Sequence, residues 1–218
     1  MGLNYGFDIF CDRSKIWEFI DSVVELNGED KGRYTTITFG DQKKIVPLFL
    51  SYTQDIYAAD DPQNDDSFCL AIPFIVDDEI RSYLKDSREI DLKNHPGLKP
   101  PEPQFDNQGR VRIGCVYFSI VTDLNAIGRT GYDANLVGFE FTAATNRMSR
   151  LFQTSKSIQQ TFVKLAQKHD AVYCMFSSGA SDKGKVLWLD GREYNIGIND
   201  DWLPMSEVRQ IVISASNL

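Results

Sequence analysis

The chain has 218 residues, 42% of them hydrophobic and 25% charged, which is enough apolar material to build a core in one large domain or two small ones. Its formal net charge of -8 argues against a nucleic-acid binder, which must neutralise phosphates, and against an anionic membrane surface. No apolar run reaches transmembrane length and the opening MGLNYGFDIFCD lacks the basic stretch of a secretory signal, so a cytoplasmic protein is the expectation.

The first predicted element is a strand in NYGFDIFC, where Tyr5, Phe7, Ile9 and Cys11 alternate with the other face. DRSKIWEFIDSVVELNG follows as a helix. Ile16, Ile20, Val23 and Val24 share its apolar face, Asp12 or Ser14 can cap its start, and Asn27-Gly28 can end it. RYTTITF and IVPLFL read as a hairpin around the polar turn GDQKK. TQDIYAADDPQNDDS reads as an exposed acidic loop, FCLAIPFIV as a strand, and DEIRSYLKDS as a short helix capped by Asp77. Residues 86–109 lack periodicity and gather prolines, so they read as a connector between a first half, 1–85, and a second half, 110–218.

The second half opens with RVRIGCVYFSIVTDL as one long strand. After the loop NAIGRTGYDAN, the strand LVGFEFTAAT places Val137, Phe139, Phe141 and Ala143 on one face. NRMSRLFQTSKSIQQTFVKLAQKHD is helical, as one helix or as two pieces broken near Thr154. AVYCMF and KVLWLDG are strands, and LPMSEVRQIVISAS is a short helix with Pro204 at its start. The fold class that follows is α+β, with a mostly antiparallel sheet and two main helices.

The two halves share an order of elements. Residues 4–50 and 137–190 both read strand–helix–strand–strand, and both first strands carry a glycine–phenylalanine–acid signature, Gly6-Phe7-Asp8-Ile9 and Gly138-Phe139-Glu140-Phe141. One compact domain built from two pseudo-repeats is the expectation. The same alignment accounts for GASDKGK, residues 179–185, which spells the core of a phosphate-binding loop. Such a loop must open a helix, whose free N–H groups hold the anion. Here VLWLD follows, and Val186 stands where the magnesium-binding hydroxyl belongs, so the segment reads as a hairpin turn.

Asp8 and Glu140 occupy matching places in the two units. If the units pack about a pseudo-twofold axis their carboxylates converge, and such a pair can bind a metal or divide into acid and base. In element order the paired units resemble the glyoxalase and extradiol-dioxygenase group, in which a metal sits in a cleft lined by His, Glu or Gln from the strands. Of the residues here only Glu140 has the type and place that this resemblance implies. Neither His95 nor His169 lies on a candidate strand, and the likeness carries no membership.

A second set of candidates faces a partner. Asp60, Asp61, Asp65 and Asp66 form an acidic docking surface that would speed encounter with a basic protein, and Arg129 and Tyr132 in the Gly-bearing loop are residue types that anchor interfaces. Cys11, Cys69, Cys115 and Cys174 lie in or beside apolar runs without a C-x-x-C or a nearby His, so they read as free core thiols. No nucleophile elbow, zinc-protease, dinucleotide or kinase signature occurs, and no cofactor is expected. The function expected from the sequence is that of a non-enzymatic binding protein, an inhibitor or immunity-like partner of a basic protein. The alternative is a metal or small-molecule site around Asp8 and Glu140.

Overall fold

The computed structural model of the protein describes residues 5–27, 34–39, 41–47, 57–58, 68–94, 102–124, 131–178, 183–200 and 203–216. In chain order the elements are β1 (Gly6–Asp12), α1 (Ile16–Asn27), β2 (Tyr34–Phe39), β3 (Gln42–Pro47), β4 (Tyr57–Ala58), β5 (Phe68–Leu70), β6 (Pro73–Ile75), α2 (Asp78–Asn94), β7 (Arg110–Arg112), β8 (Val116–Val121), β9 (Leu136–Ala143), α3 (Asn146–Thr154), α4 (Lys156–Lys168), β10 (Tyr173–Ser177), β11 (Gly184–Leu189), β12 (Arg192–Ile198) and α5 (Met205–Ser216). The fold is α+β. Seven strands form one antiparallel sheet in the order β12-β11-β10-β1-β9-β8-β5, and two small sheets, β3-β2-β4 and β6-β7, stand apart from it.

β1 lies near the middle of the large sheet, and its alternation decides the layers. Phe7 and Ile9 face the helices α1, α3 and α4: the Phe7 ring stacks on Phe162 of α4 at 4.2 Å, and Phe19 of α1 stacks on Phe139 of β9 at 3.8 Å. These rings belong to one continuous core to which both halves of the chain contribute. Burying each Phe contributes roughly 2–3 kcal/mol. Phe10 points to the opposite face, where Tyr173, Met175 and Val186 pack against Met205, Val208 and Val212 of α5. Helices therefore cover the sheet on both sides, and β1, β9 and β10 are buried nearly throughout.

Capping fixes where the helices begin. The Asp12 carboxylate accepts from the Ser14 amide at 2.9 Å and opens the turn that leads into α1. Thr145 caps α3 through the Met148 amide. Ser155, in extended backbone, ends α3 and caps α4 through the Ile158 amide, so the predicted helical stretch divides there. At the far end of α1 the wholly buried Asn27 joins the end of β3 to the link between β5 and β6. Its Nδ2 donates to the Pro47 carbonyl at 3.2 Å, and its Oδ1 accepts from the Ala71 amide at 2.6 Å.

Several expectations need correction. The segment GDQKK is not a five-residue turn, because β3 starts at Gln42 directly after Asp41. FCLAIPFIV divides into β5 and β6, which belong to different sheets. RVRIGCVYFSIVTDL divides at Gly114, whose φ of 138° breaks the run into β7 and β8. Helix α2 continues to Asn94, so the first part of the 86–109 connector is helical: no proline interrupts it, and Ile80, Tyr83 and Leu84 pack on the core. β12 was not expected at all. Its signal is Asp190-Gly191, both at positive φ (46° and 85°), the two-residue turn that matches strand twist in a hairpin.

The expected repeat is not shown. The first strands of the two units pair with each other, and the second unit places β10 on the free side of β1. A strict repeat would place β2 beside β9, but β8 occupies that slot and β2 pairs with β3 and β4 in a separate sheet. Finally, the four cysteines are not all free. Cys69 and Cys115 are bonded to each other with their Cα atoms 5.5 Å apart, while Cys11 and Cys174 are free and buried.

Candidate functional site

The two glycine–phenylalanine–acid signatures lie side by side, running in opposite directions. In the β1–β9 ladder Phe7 is opposite Phe141, Asp8 opposite Glu140 and Ile9 opposite Phe139. A local twofold axis therefore passes between Asp8 and Glu140 and carries one signature onto the other. The Ala143 amide donates to the Tyr5 carbonyl and the Arg13 amide to the Asn135 carbonyl. Both links fall at odd positions of β1, so the even pair Asp8–Glu140 is of the non-hydrogen-bonded kind, in which Cα atoms approach to about 4.5 Å and side chains lie closest.

The pair sits on the sheet face that carries Phe10 and α5. A polar row crosses that face from Asp8 to Glu140 to Ser119, with Met175 on the other side of Asp8. Asp8 is only 6% exposed and Glu140 is half-buried. Both acids have further interaction partners within the chain. Gly6, two residues before Asp8, keeps the neighbouring floor low: a Cβ there would lie 2.8 Å from the Phe141 carbonyl oxygen.

The free thiols lie on the opposite, helix-covered face of the sheet with Phe7 and Ile9, and do not line the row. Burial, then the charge of Asp8, then Cys11 hold the Cys174 thiol well above its ordinary range, and burial pushes Cys11 up to about 12. Among the described residues no group of three or more His, Cys, Asp or Glu side chains is placed to hold a metal ion. The pair sets two carboxyl groups side by side on neighbouring strands.

The other sequence candidates fare differently. Asp60, Asp61, Asp65, Asp66 and Arg129 lie outside the described residues, as does His95. Tyr132 is not a surface anchor: it is buried, its ring meets Phe10 edge-on at 5.1 Å, and its hydroxyl donates to the Leu203 carbonyl. His169 closes α4 and is buried against α1, with its Nε2 2.8 Å from Ser22 Oγ. Lys185 lies in β11 opposite Phe176 and Gly197, and Ser178 closes the turn by donating to the Lys183 carbonyl, so no helix follows the glycine-rich segment. Ser119 was missed by sequence reasoning, although the hairpin register of β8 on β9 was the signal that would have found it.

Comparison with protein-family models, with curated proteins and with solved structures gives no match, so the site is read from its own geometry. No helix among the described residues is long and apolar enough to cross a membrane.

Proposed function

We propose that this chain is a binding protein that recognises a cationic group, an ammonium or a guanidinium, between the carboxylates of Asp8 and Glu140. One observation carries the reading: the two acids are direct, non-hydrogen-bonded partners on neighbouring strands of the central sheet. Like charges placed opposite each other weaken a strand pair. A shared cation turns that cost into charge-assisted hydrogen bonds, and a guanidinium spans two carboxylates with the best geometry. A divalent ion fits the donor set less well, since it asks for more oxygen ligands than this pair supplies.

The test is a thermal-shift titration with n-butylguanidine, n-butylamine and calcium chloride. n-Butylguanidine raises the melting temperature of the wild type and leaves Glu140→Gln unmoved. An equal rise in both proteins, or no rise in the wild type, overturns the reading. A larger, Glu140-dependent rise with calcium would move the site to the metal class. The net charge of -8 supports a second reading, in which a basic protein docks on the acidic segment that contains Asp60, Asp61, Asp65 and Asp66. Replacing those four acids by Asn would then slow association at low salt. Wild-type association by that variant rejects it.

A further inference from the structure

On the opposite face of the sheet, a cleft of about 440 Å³ opens between α1, α4 and the β6-β7 ribbon. That volume is in the range of small-molecule sites. Leu26, Ile75 and Leu165 give it apolar walls, while Lys164, Lys168 and Arg110 bring three cations to it against the single acid Glu25. The composition of the chain makes this unusual. The protein as a whole is acidic, yet residues 141–169 hold five Lys and Arg and no Asp or Glu.

The three cations are differently engaged. Arg110 is held by Asp106, Nε to Oδ2, at 2.7 Å. Lys168 reaches Glu25 at 3.3 Å, with both side chains more than half exposed, and such a pair is worth little. Lys164 makes no ion pair among the described residues. Lys164 and Lys168 stand one helical turn apart, so their like charges repel by a few tenths of a kcal/mol. An anion between them relieves that repulsion.

We infer that this cleft binds a small amphipathic anion, an apolar body carrying one carboxylate or phosphate head. The head lies between Lys164 and Lys168, and the body lies on Leu26, Ile75 and Leu165. The site is independent of Asp8 and Glu140, which face the other side of the sheet, so each reading can fail alone.

Calorimetric titration with octanoate, octyl phosphate, octylammonium and inorganic phosphate tests it. Octanoate or octyl phosphate binds the wild type, and Lys164→Glu/Lys168→Glu weakens that binding by about tenfold or more, the scale of one lost charge-assisted contact. Both lysines are exposed, so the variant should retain its melting temperature. If it does not, Lys164→Gln/Lys168→Gln replaces it with the same expected loss. The inference is overturned if neither octyl anion binds, if the variants bind as the wild type does, or if octylammonium binds equally well. Inorganic phosphate as tight as octyl phosphate would remove the apolar wall from the account and overturn the amphipathic assignment.

Discussion

Ser155 donates its hydroxyl to the Asp77 carboxylate at 2.7 Å, so one acid holds the starts of two helices that are 78 positions apart in the chain. The other oxygen of Asp77 accepts from the Ile80 amide at 2.9 Å at the head of α2, and the Ser157 amide donates at 3.1 Å to the same oxygen as Ser155. Burial works to raise the Asp77 pKa, but the Ile80 amide and the two serines outweigh it and hold the carboxyl below its ordinary value.

Asp77→Ala should therefore cost about 2–3 kcal/mol in urea denaturation, a lost helix cap plus polar groups left without their acceptor. Because the folded pKa is depressed, this stabilisation is full above the unfolded value near 4 and is lost as pH falls through the folded value. Wild type and Asp77→Asn should differ at pH 7 and converge as pH drops below about 4. A constant difference across that window would remove Asp77 from the acid response.

His169 gives a pH dependence in a higher window. Burial, then the charge of Lys168, lowers its pKa in the folded protein. The unfolded chain takes up a proton near pH 6.5 that the folded chain refuses, so stability falls as pH drops below about 6.5. His169→Gln should lose less stability than the wild type between pH 7 and pH 5. An identical slope in both proteins would mean that burial does not hold the ring neutral.

The sheet was legible from the sequence in its central strands and illegible at its margins, for a physical reason. β1, β9 and β10 are buried on both faces, so their apolar runs are continuous and flanked by turn residues. β5, β6 and β7 are three residues each and too short to show a period. β12 alternates with exposed residues such as Arg192 and Glu193, and its hairpin turn was the only local signal. The Asp8–Glu140 meeting followed from matched positions, because an antiparallel pair about a twofold axis brings equal positions together. The Asp77–Ser155 bond and the cleft beside α4 needed three-dimensional packing that no local pattern encodes.

The thiols give a direct mass test. Non-reducing analysis should find one bond, between Cys69 and Cys115, and two thiols at Cys11 and Cys174 that resist a bulky reagent until the protein unfolds. The bond closes a 46-residue separation, for which chain-entropy reasoning gives about 3–4 kcal/mol of stabilisation. Cys69→Ser/Cys115→Ser should melt correspondingly earlier. Four titratable thiols in unreduced native protein would contradict the pairing.

Lys185 should be indifferent to nucleotides. It lies in a strand, so no helix terminus gathers N–H groups around a phosphate. ATP and GTP should leave the melting temperature unchanged, and Lys185→Ala should fall within about 0.5 kcal/mol of the wild type. A nucleotide-dependent rise abolished by that substitution would reinstate the phosphate loop.

The placement of β1 has a consequence for how the protein is made. Both of its ladder neighbours, β9 and β10, lie at residue 136 or later, so a ribosome completes α1, α2 and the small sheets long before β1 has anything to pair with. Throughout that interval Phe7, Ile9 and Phe10 belong to a strand with two open edges, the kind of segment that associates with other chains. Folding of the large sheet is therefore an event of late synthesis, slow because its contacts are distant in sequence, and the cell must keep the leading strand apart from its neighbours until Ser177 has emerged.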